Sequence, residues 1–164
     1  MPEWIWIVAG TMVALAIVVC LAWRPMRGAR RSAQYERARK EFHQQRERLE
    51  AKFVQLASTS GKPRGLRWTA CEFDDDVAYA RDRHSGELCA LVAVTIGFEA
   101  IEGGLMEDVE AVGNLRAATA VFRVERGRWR TDGRAIFNLN PTEAIAYYQD
   151  NLEIVGQEVA HRSW

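Results

Sequence analysis

Acidic side chains are the most conspicuous groups in this sequence that could do chemistry. Asp74, Asp75 and Asp76 are consecutive, and a second acidic stretch extends from Glu99 to Glu110. Carboxylate oxygens that converge on one point can bind a divalent cation. The three aspartates lack the alternating spacing and the central glycine of a calcium loop, and consecutive residues of a turn point apart. We therefore predict no metal site and interpret these carboxylates as a solvated or partner-binding surface.

The histidines and cysteines form no recognisable nucleophile pattern and no zinc-binding pattern. The three cysteines are an odd number at irregular spacing, which does not fit a disulfide framework. Gly103-Gly104 is not followed by the Lys-Ser or Lys-Thr pair of a phosphate-binding loop. We predict no catalytic residue and no cofactor, and the sequence favours a protein that is not an enzyme. The residues considered are His43, His84, His161, Cys20, Cys71 and Cys89.

The chain that positions these groups begins with an apolar segment, residues 4–23, whose only ionisable side chain is the thiol of Cys20. A helix of this length crosses a hydrocarbon core of roughly 30 Å. Arginines follow the segment and no basic side chain precedes it, which is unlike a cleaved signal peptide. We expect residues 1–3 outside the cell, a single transmembrane helix at 4–23 in the cell (inner) membrane, and the remaining chain in the cytoplasm.

Residues 24–57 are expected to form a basic juxtamembrane segment and an amphipathic stalk helix. Pro25 and Gly28 predict a break after the membrane helix, with Ser32 as the cap of the second helix. The nearest anionic surface to this segment is the lipid headgroups, which we favour over nucleic acid as its partner. The residues expected to contact lipid headgroups are Arg24, Arg27, Arg30, Arg31, Arg39 and Lys40.

Two features could bring two copies of the chain together as a homodimer. Gly10 and Ala14 are small residues four positions apart, a spacing that lets membrane helices approach closely. In the stalk, an apolar residue recurs every seven positions from Tyr35 to Leu56, as in a coiled coil. The interpretation that we favour is a solvated stalk whose last apolar residues, Leu49, Phe53 and Leu56, pack on the following sheet.

Residues 58–156 predict an α+β head domain with a curved antiparallel β-meander of about five strands, helices on one face and a closing C-terminal helix. The aspartates at 74–76 are read as a turn between two strands. Asn140, Pro141 and Glu143 have the spacing of a helix start, and Gly156 would end that helix. Residues 157–164 are expected to be a flexible tail. The predicted strands are 66–73, 77–83, 87–100, 115–125 and 129–139.

Charge separates a basic stalk from an acidic head, although the formal net charge of the whole chain is zero. Residues 24–67 carry nine more basic than acidic side chains, and residues 68–164 carry eight more acidic than basic ones. An acidic loop at the head surface would attract a basic protein partner by electrostatic steering. The residues expected to dock this partner are Glu102, Glu107, Asp108 and Glu110.

The stretch ERGRWRT at 125–131 is a turn that leads into a strand with an inward-facing Trp129. It resembles the penultimate region of cystatin-like and NTF2-like cone-shaped folds. We interpret the chain as a membrane-anchored cytoplasmic interaction or scaffold module, without catalysis, that offers a surface or shallow groove to a protein. The resemblance implies the alternative of a small-molecule-binding domain, with or without enzyme activity, whose pocket lies between the sheet and the closing helix. Solid packing of Trp68, Phe98, Phe122, Trp129 and Tyr148 would exclude that pocket.

Overall fold

The computed structural model describes residues 4–60, 66–102 and 115–159, without the side chains of residues 5, 7, 9, 16, 19–27, 29 and 60. The chain divides into two compact units, Met1–Lys40 and Glu41–Trp164. The described part is α+β with one curved antiparallel sheet, of six strands instead of the expected five. The elements are α1 (Trp4–Ser60), β1 (Leu66–Asp82), β2 (Leu88–Ala100), β3 (Arg116–Glu125), β4 (Arg128–Arg130), β5 (Ala135–Phe137), α2 (Pro141–Tyr147) and β6 (Leu152–Glu158).

Helix α1 is continuous from Trp4 to Ser60, so the predicted break at Pro25 and Gly28 is wrong. A proline inside a helix removes one backbone hydrogen bond and costs about 3 kcal/mol. The long helix-favouring sequence that follows can offset this cost. No helix in the described part of the chain is long and apolar enough to span a membrane. Since the side chains of residues 5, 7, 9, 16 and 19–23 lie outside the described part, the membrane-spanning assignment of residues 4–23 stays a prediction.

Strand β1 is a single strand of 17 residues, although we expected two strands separated by a turn. Its pairing with β2 shifts register between Phe73 and Val77, so the three aspartates form a bulge within the strand. Arg46 of α1 contacts this bulge. Its guanidinium donates a hydrogen bond to the backbone carbonyl of Asp74 and lies 3.4 Å from the carboxylate of Asp75. The bulge is therefore fastened to the helix.

The predicted fifth strand is divided at Asp132 and Gly133 into β4 and β5, which both pair with β3. The predicted hairpin turn between β3 and β4 is confirmed. Arg126 and Gly127 both have positive φ, 51° and 74°, as a tight two-residue hairpin turn requires. The strand order across the sheet is β4-β3-β2-β1-β6.

The closing helix is shorter than predicted. Asn140 and Glu143 form the expected capping box at the start of α2, but the helix ends at Tyr147. The residues expected to continue it to Gly156 form β6 instead, which pairs antiparallel with the outer edge of β1. Residues 157 and 158, expected in the tail, belong to this strand. A free strand edge is a strong template for pairing, which explains why the sheet captures this segment.

The sheet has a helix on each face, so the prediction that the helices share one face is wrong. Phe122 of β3 pairs with Ala90 of β2 and contacts Phe42 of α1. The next residue of β2, Leu91, belongs to a cluster with Ile145 of α2. Successive residues of a strand point to opposite faces, so α1 covers one face and α2 the other.

Candidate functional site

A groove of about 780 Å³ lies between the last turns of α1 and the edge strand β4, within the unit Glu41–Trp164. Among the residues that the structure describes, its lining contains four cationic side chains and no carboxylate. We call this site the basic groove. It is defined by Arg48 and Lys52 of α1 and by Arg128 and Arg130 of β4.

Local sequence spacing places all four cations at the surface. Arg48 and Lys52 are four positions apart and so lie on one face of the helix. In β4, the two arginines alternate with Trp129, whose side chain is only 5% exposed. An inward tryptophan forces its two neighbours to point outward, because strand side chains alternate.

The four cations of the basic groove form no ion pair with another described residue. The ammonium of Lys52 donates only to the amide oxygen of Gln55, at 3.1 Å. Arg46, two residues before Arg48, differs: its guanidinium lies 2.6 Å from the carboxylate of Glu50 and also contacts β1. The positive charge of the groove is therefore available to an anion from outside the chain.

Aromatic side chains pack solidly beneath α1. The Trp129 ring lies 5.0 Å from that of Phe42, centroid to centroid, and the Phe122 ring lies 5.5 Å from it. Trp68 and Phe98 pack edge to face at 5.7 Å. Phe42, Phe98, Phe122 and Trp129 are therefore core on this face, and Trp68 is half-buried beside them.

A second polar arrangement joins three elements of the head. Glu158 of β6 accepts a hydrogen bond from the Tyr79 hydroxyl at 3.2 Å, and its carboxylate lies 2.8 Å from Nε2 of His43. Tyr79 is 1% exposed, so its hydroxyl needs a partner, and the carboxylate supplies it. This arrangement ties β6 to β1 and α1. Sequence reasoning missed it, because the three residues come from distant segments.

The two cysteines of the head are thiols, not thiolates, at neutral pH. Burial raises the pKa of Cys89 to about 11. Burial, with a smaller effect of the Glu50 carboxylate, raises the pKa of Cys71 to about 11. Since the thiolate is the reactive form, neither side chain is an activated nucleophile. Among the described residues, no three histidine, cysteine or acidic side chains meet in a group that could hold a metal ion.

The residues expected to contact lipid lie in the unit Met1–Lys40. Arg30, Arg31 and Lys40 are exposed on α1, while Arg39 lies 3.5 Å from the carboxylate of Glu36. The side chains of residues 24 and 27 lie outside the described part. Lipid contact by this segment stays a prediction.

Of the acidic residues expected to dock a basic partner, only Glu102 is described, exposed in the turn after β2. Glu107, Asp108 and Glu110 lie outside the described residues. The basic groove was not predicted, although the alternation of arginine with glycine and tryptophan from Arg126 to Arg130 is a visible signal. The sequence could not show that Arg48 and Lys52 face that strand.

In comparisons with protein-family models, with curated proteins and with solved structures, nothing matched this chain.

Proposed function

We propose that this protein is a membrane-anchored cytoplasmic interaction module whose head binds an acidic segment of a partner protein in the basic groove. The observation that carries the proposal is the set of four cations without ion-pair partners among the described residues. The sequence predicted a basic partner for the acidic loop. The basic groove instead favours an acidic partner, because α1 and β4 bring four cations together.

The anchor is proposed from the sequence. Residues 4–23 are apolar for the length of a bilayer span, and the arginines after them give the orientation with the head in the cytoplasm. The basic residues from Arg24 to Lys40 would then lie near anionic headgroups, where each is worth on the order of 1 kcal/mol.

Three properties of the groove favour an acidic peptide over other anions. Its volume of about 780 Å³ is larger than a single phosphate or carboxylate needs. Its cations come from two elements, α1 and the edge strand β4, and this spread suits a segment of chain better than a single small anion. Trp129 is buried, which leaves the groove without a tryptophan platform on which the bases of single-stranded nucleic acid could stack.

The proposal is tested with the full chain in lipid nanodiscs and a fluorescein-labelled glutamate-rich peptide. The same peptide with glutamine in place of glutamate is the charge control. Fluorescence anisotropy should show binding of the acidic peptide alone, with an affinity that falls as salt rises from about 0.05 to 0.5 M. Surface ion pairs are worth about 0.2 to 1 kcal/mol each, so replacing two cations should weaken binding by roughly two- to thirtyfold.

The variants separate the two walls of the groove. Arg48→Gln with Lys52→Gln removes the helical cations, and Arg128→Gln with Arg130→Gln removes the strand cations. A charge-matched control, Arg67→Gln with Arg116→Gln, changes two exposed arginines outside the groove. Equal losses in the control and groove variants would overturn the proposal, as would equal binding of the two peptides.

A further inference from the structure

A second cavity, of about 310 Å³, lies on the sheet face that α2 covers, opposite the face packed by α1. We call it the α2 cleft. Four apolar side chains form its floor, and Cys89, buried and thiol-bearing, extends that floor. The other floor residues are Leu91, Val121, Ile136 and Leu152.

Arg123 and Arg134 lie beside this floor, and the strand register explains their position. Arg123 is paired with Cys89, and Val121 with Leu91, so both β3 residues point to the α2 face. The backbone N–H of Val121 donates to the carbonyl of Arg134, which places Arg134 beside Val121 on the neighbouring chain segment. The cleft thus has a guanidinium from each of two adjacent segments.

Neither guanidinium forms an ion pair with a residue of the described chain. The guanidinium of Arg134 lies over the Tyr148 ring, 5.7 Å from its centroid, and donates to the Tyr148 hydroxyl at 3.4 Å. This contact orients the arginine and leaves most of its five N–H donors unused.

One carboxylate also lines the α2 cleft, that of Asp82. Its Oδ1 atom accepts the backbone N–H groups of His84 and Ser85, both at 2.8 Å, in the turn after β1. These hydrogen bonds, chiefly that from Ser85, lower the pKa of Asp82, so the group is ionised. The cleft therefore carries a net charge of one positive unit from two arginines and one aspartate, which matches a monoanion.

We propose that the α2 cleft binds a small amphipathic carboxylate. Its apolar body lies on the floor of the cleft, and its carboxylate accepts hydrogen bonds from Arg123 and Arg134. Arginine suits this role because its planar fork of donors fits both carboxylate oxygens. The cleft volume is at the lower end of the range for ligand pockets, which selects a compact body such as a single ring. The α2 cleft and the basic groove have no described lining residue in common, so the proposal does not depend on the acidic partner.

The test uses benzoate as the probe and the full chain in nanodiscs, with empty nanodiscs as the blank. Benzamide has the same ring without the charge, and benzylamine reverses the charge. Ligand-observed NMR titration should give a Kd for benzoate of about 1 mM or below. Benzamide and benzylamine should bind at least about tenfold more weakly, which corresponds to 1.4 kcal/mol.

Arg123→Gln and Arg134→Gln should each weaken benzoate binding about tenfold, and the two together should abolish it at accessible concentrations. Arg116→Gln is the matched control, since it removes an exposed arginine from the same strand, outside the cleft. A thermal melt of each variant verifies folding. If a glutamine variant fails to fold, Arg123→Lys with Arg134→Lys is measured in its place. Equal affinity for benzoate and benzamide, unchanged binding by the folded double variant, or no benzoate binding up to about 10 mM would each overturn the proposal.

Discussion

Burial gives Cys89 a measurable influence on the pH dependence of stability. The pKa of this thiol rises from its ordinary value of 9.0 to about 11 in the folded protein. Between these two values the unfolded chain loses the proton and the folded chain keeps it. Proton binding thus favours the folded state, and stability is lost as the pH rises through this window.

We predict that the free energy of unfolding falls between pH 9 and pH 11, with Cys89 contributing at most about 2 to 3 kcal/mol of the loss. Chemical unfolding of the wild type and of Cys89→Ala at several pH values measures this contribution. The variant is expected to be less stable at pH 7, because of the small cavity, but to lose less stability at high pH. Parallel curves for the two proteins would show that this thiol is not the titrating group.

Two arginines of α1 have different contacts, although they are close together in the sequence. Arg46 and Arg48 are separated by one residue, yet Arg46 fastens the β1 bulge while Arg48 faces the basic groove. Their one-residue separation turns them to different sides of the helix. The sequence predicted the helix but could not assign these roles, because both depend on which part of the sheet each side chain meets.

Gly133 marks the closest approach between the strand segment and α1. Its φ is +76°, and a Cβ atom there would lie 2.6 Å from the backbone nitrogen of Ala57 and 2.8 Å from Cβ of Leu56. Helix backbone cannot move aside as a side chain can. The backbone at Gly133 therefore has to pass close to the helix, and this separates β4 from β5.

We predict that Gly133→Ala destabilises the head by about 3 kcal/mol or more, from positive φ and steric overlap together. Gly86→Ala is the control, since Gly86 has φ of +74° but no atom within 4 Å of an added Cβ. That variant should lose only about 1 to 2 kcal/mol. Chemical unfolding compares the two. Similar losses at both positions would mean that the overlap with α1 contributes nothing.

Strand β2 carries the prediction from sequence that succeeded best. It was predicted at residues 87–100 and is found at Leu88–Ala100, with both of its faces buried near its start. Val94 is 3% exposed, on the α1 face. By contrast, the residues of β6 were predicted to be helical. Their partner strand β1 is distant in the sequence, and local periodicity cannot show that β1 has an unpaired edge.

Val94→Asp is expected to unfold the head. An unpaired buried charge costs several kcal/mol, against a typical total stability of about 5 to 15 kcal/mol. Ala117→Asp introduces the same group at an exposed position on the adjacent strand β3 and should be tolerated. Circular dichroism of the two variants makes the comparison. A folded Val94→Asp head would show that the site relaxes to admit water.

The proposed topology of the entire chain can be tested from outside the cell. If residues 4–23 span the membrane with the head in the cytoplasm, a membrane-impermeant thiol reagent should not label Ser163→Cys in intact cells. Glu3→Cys is the matched control and should be labelled. Labelling of Ser163→Cys with none of Glu3→Cys would show the opposite orientation.

Each proposed site combines segments that are distant in the sequence. The basic groove joins Arg48 to Arg128, and the α2 cleft joins Cys89 to Leu152. Residue types and local spacing predicted most helix and strand positions, since these follow from neighbours along the chain. They could not predict the sites, because those follow from sheet order and from which helix covers each face.

The bulge at Asp74–Asp76 lies beside an edge of β1 that stays unpaired while the rest of the chain is synthesised. Strands β2 and β3 follow β1 directly, but β6, which pairs with Val77–Asp82 of β1, is synthesised last. At about 5 to 20 residues per second, β1 waits roughly 4 to 15 s for this partner. An unpaired edge invites association with other nascent chains. The three consecutive aspartates of the bulge directly precede this edge, and their like charges disfavour its pairing with the same edge of a second nascent chain.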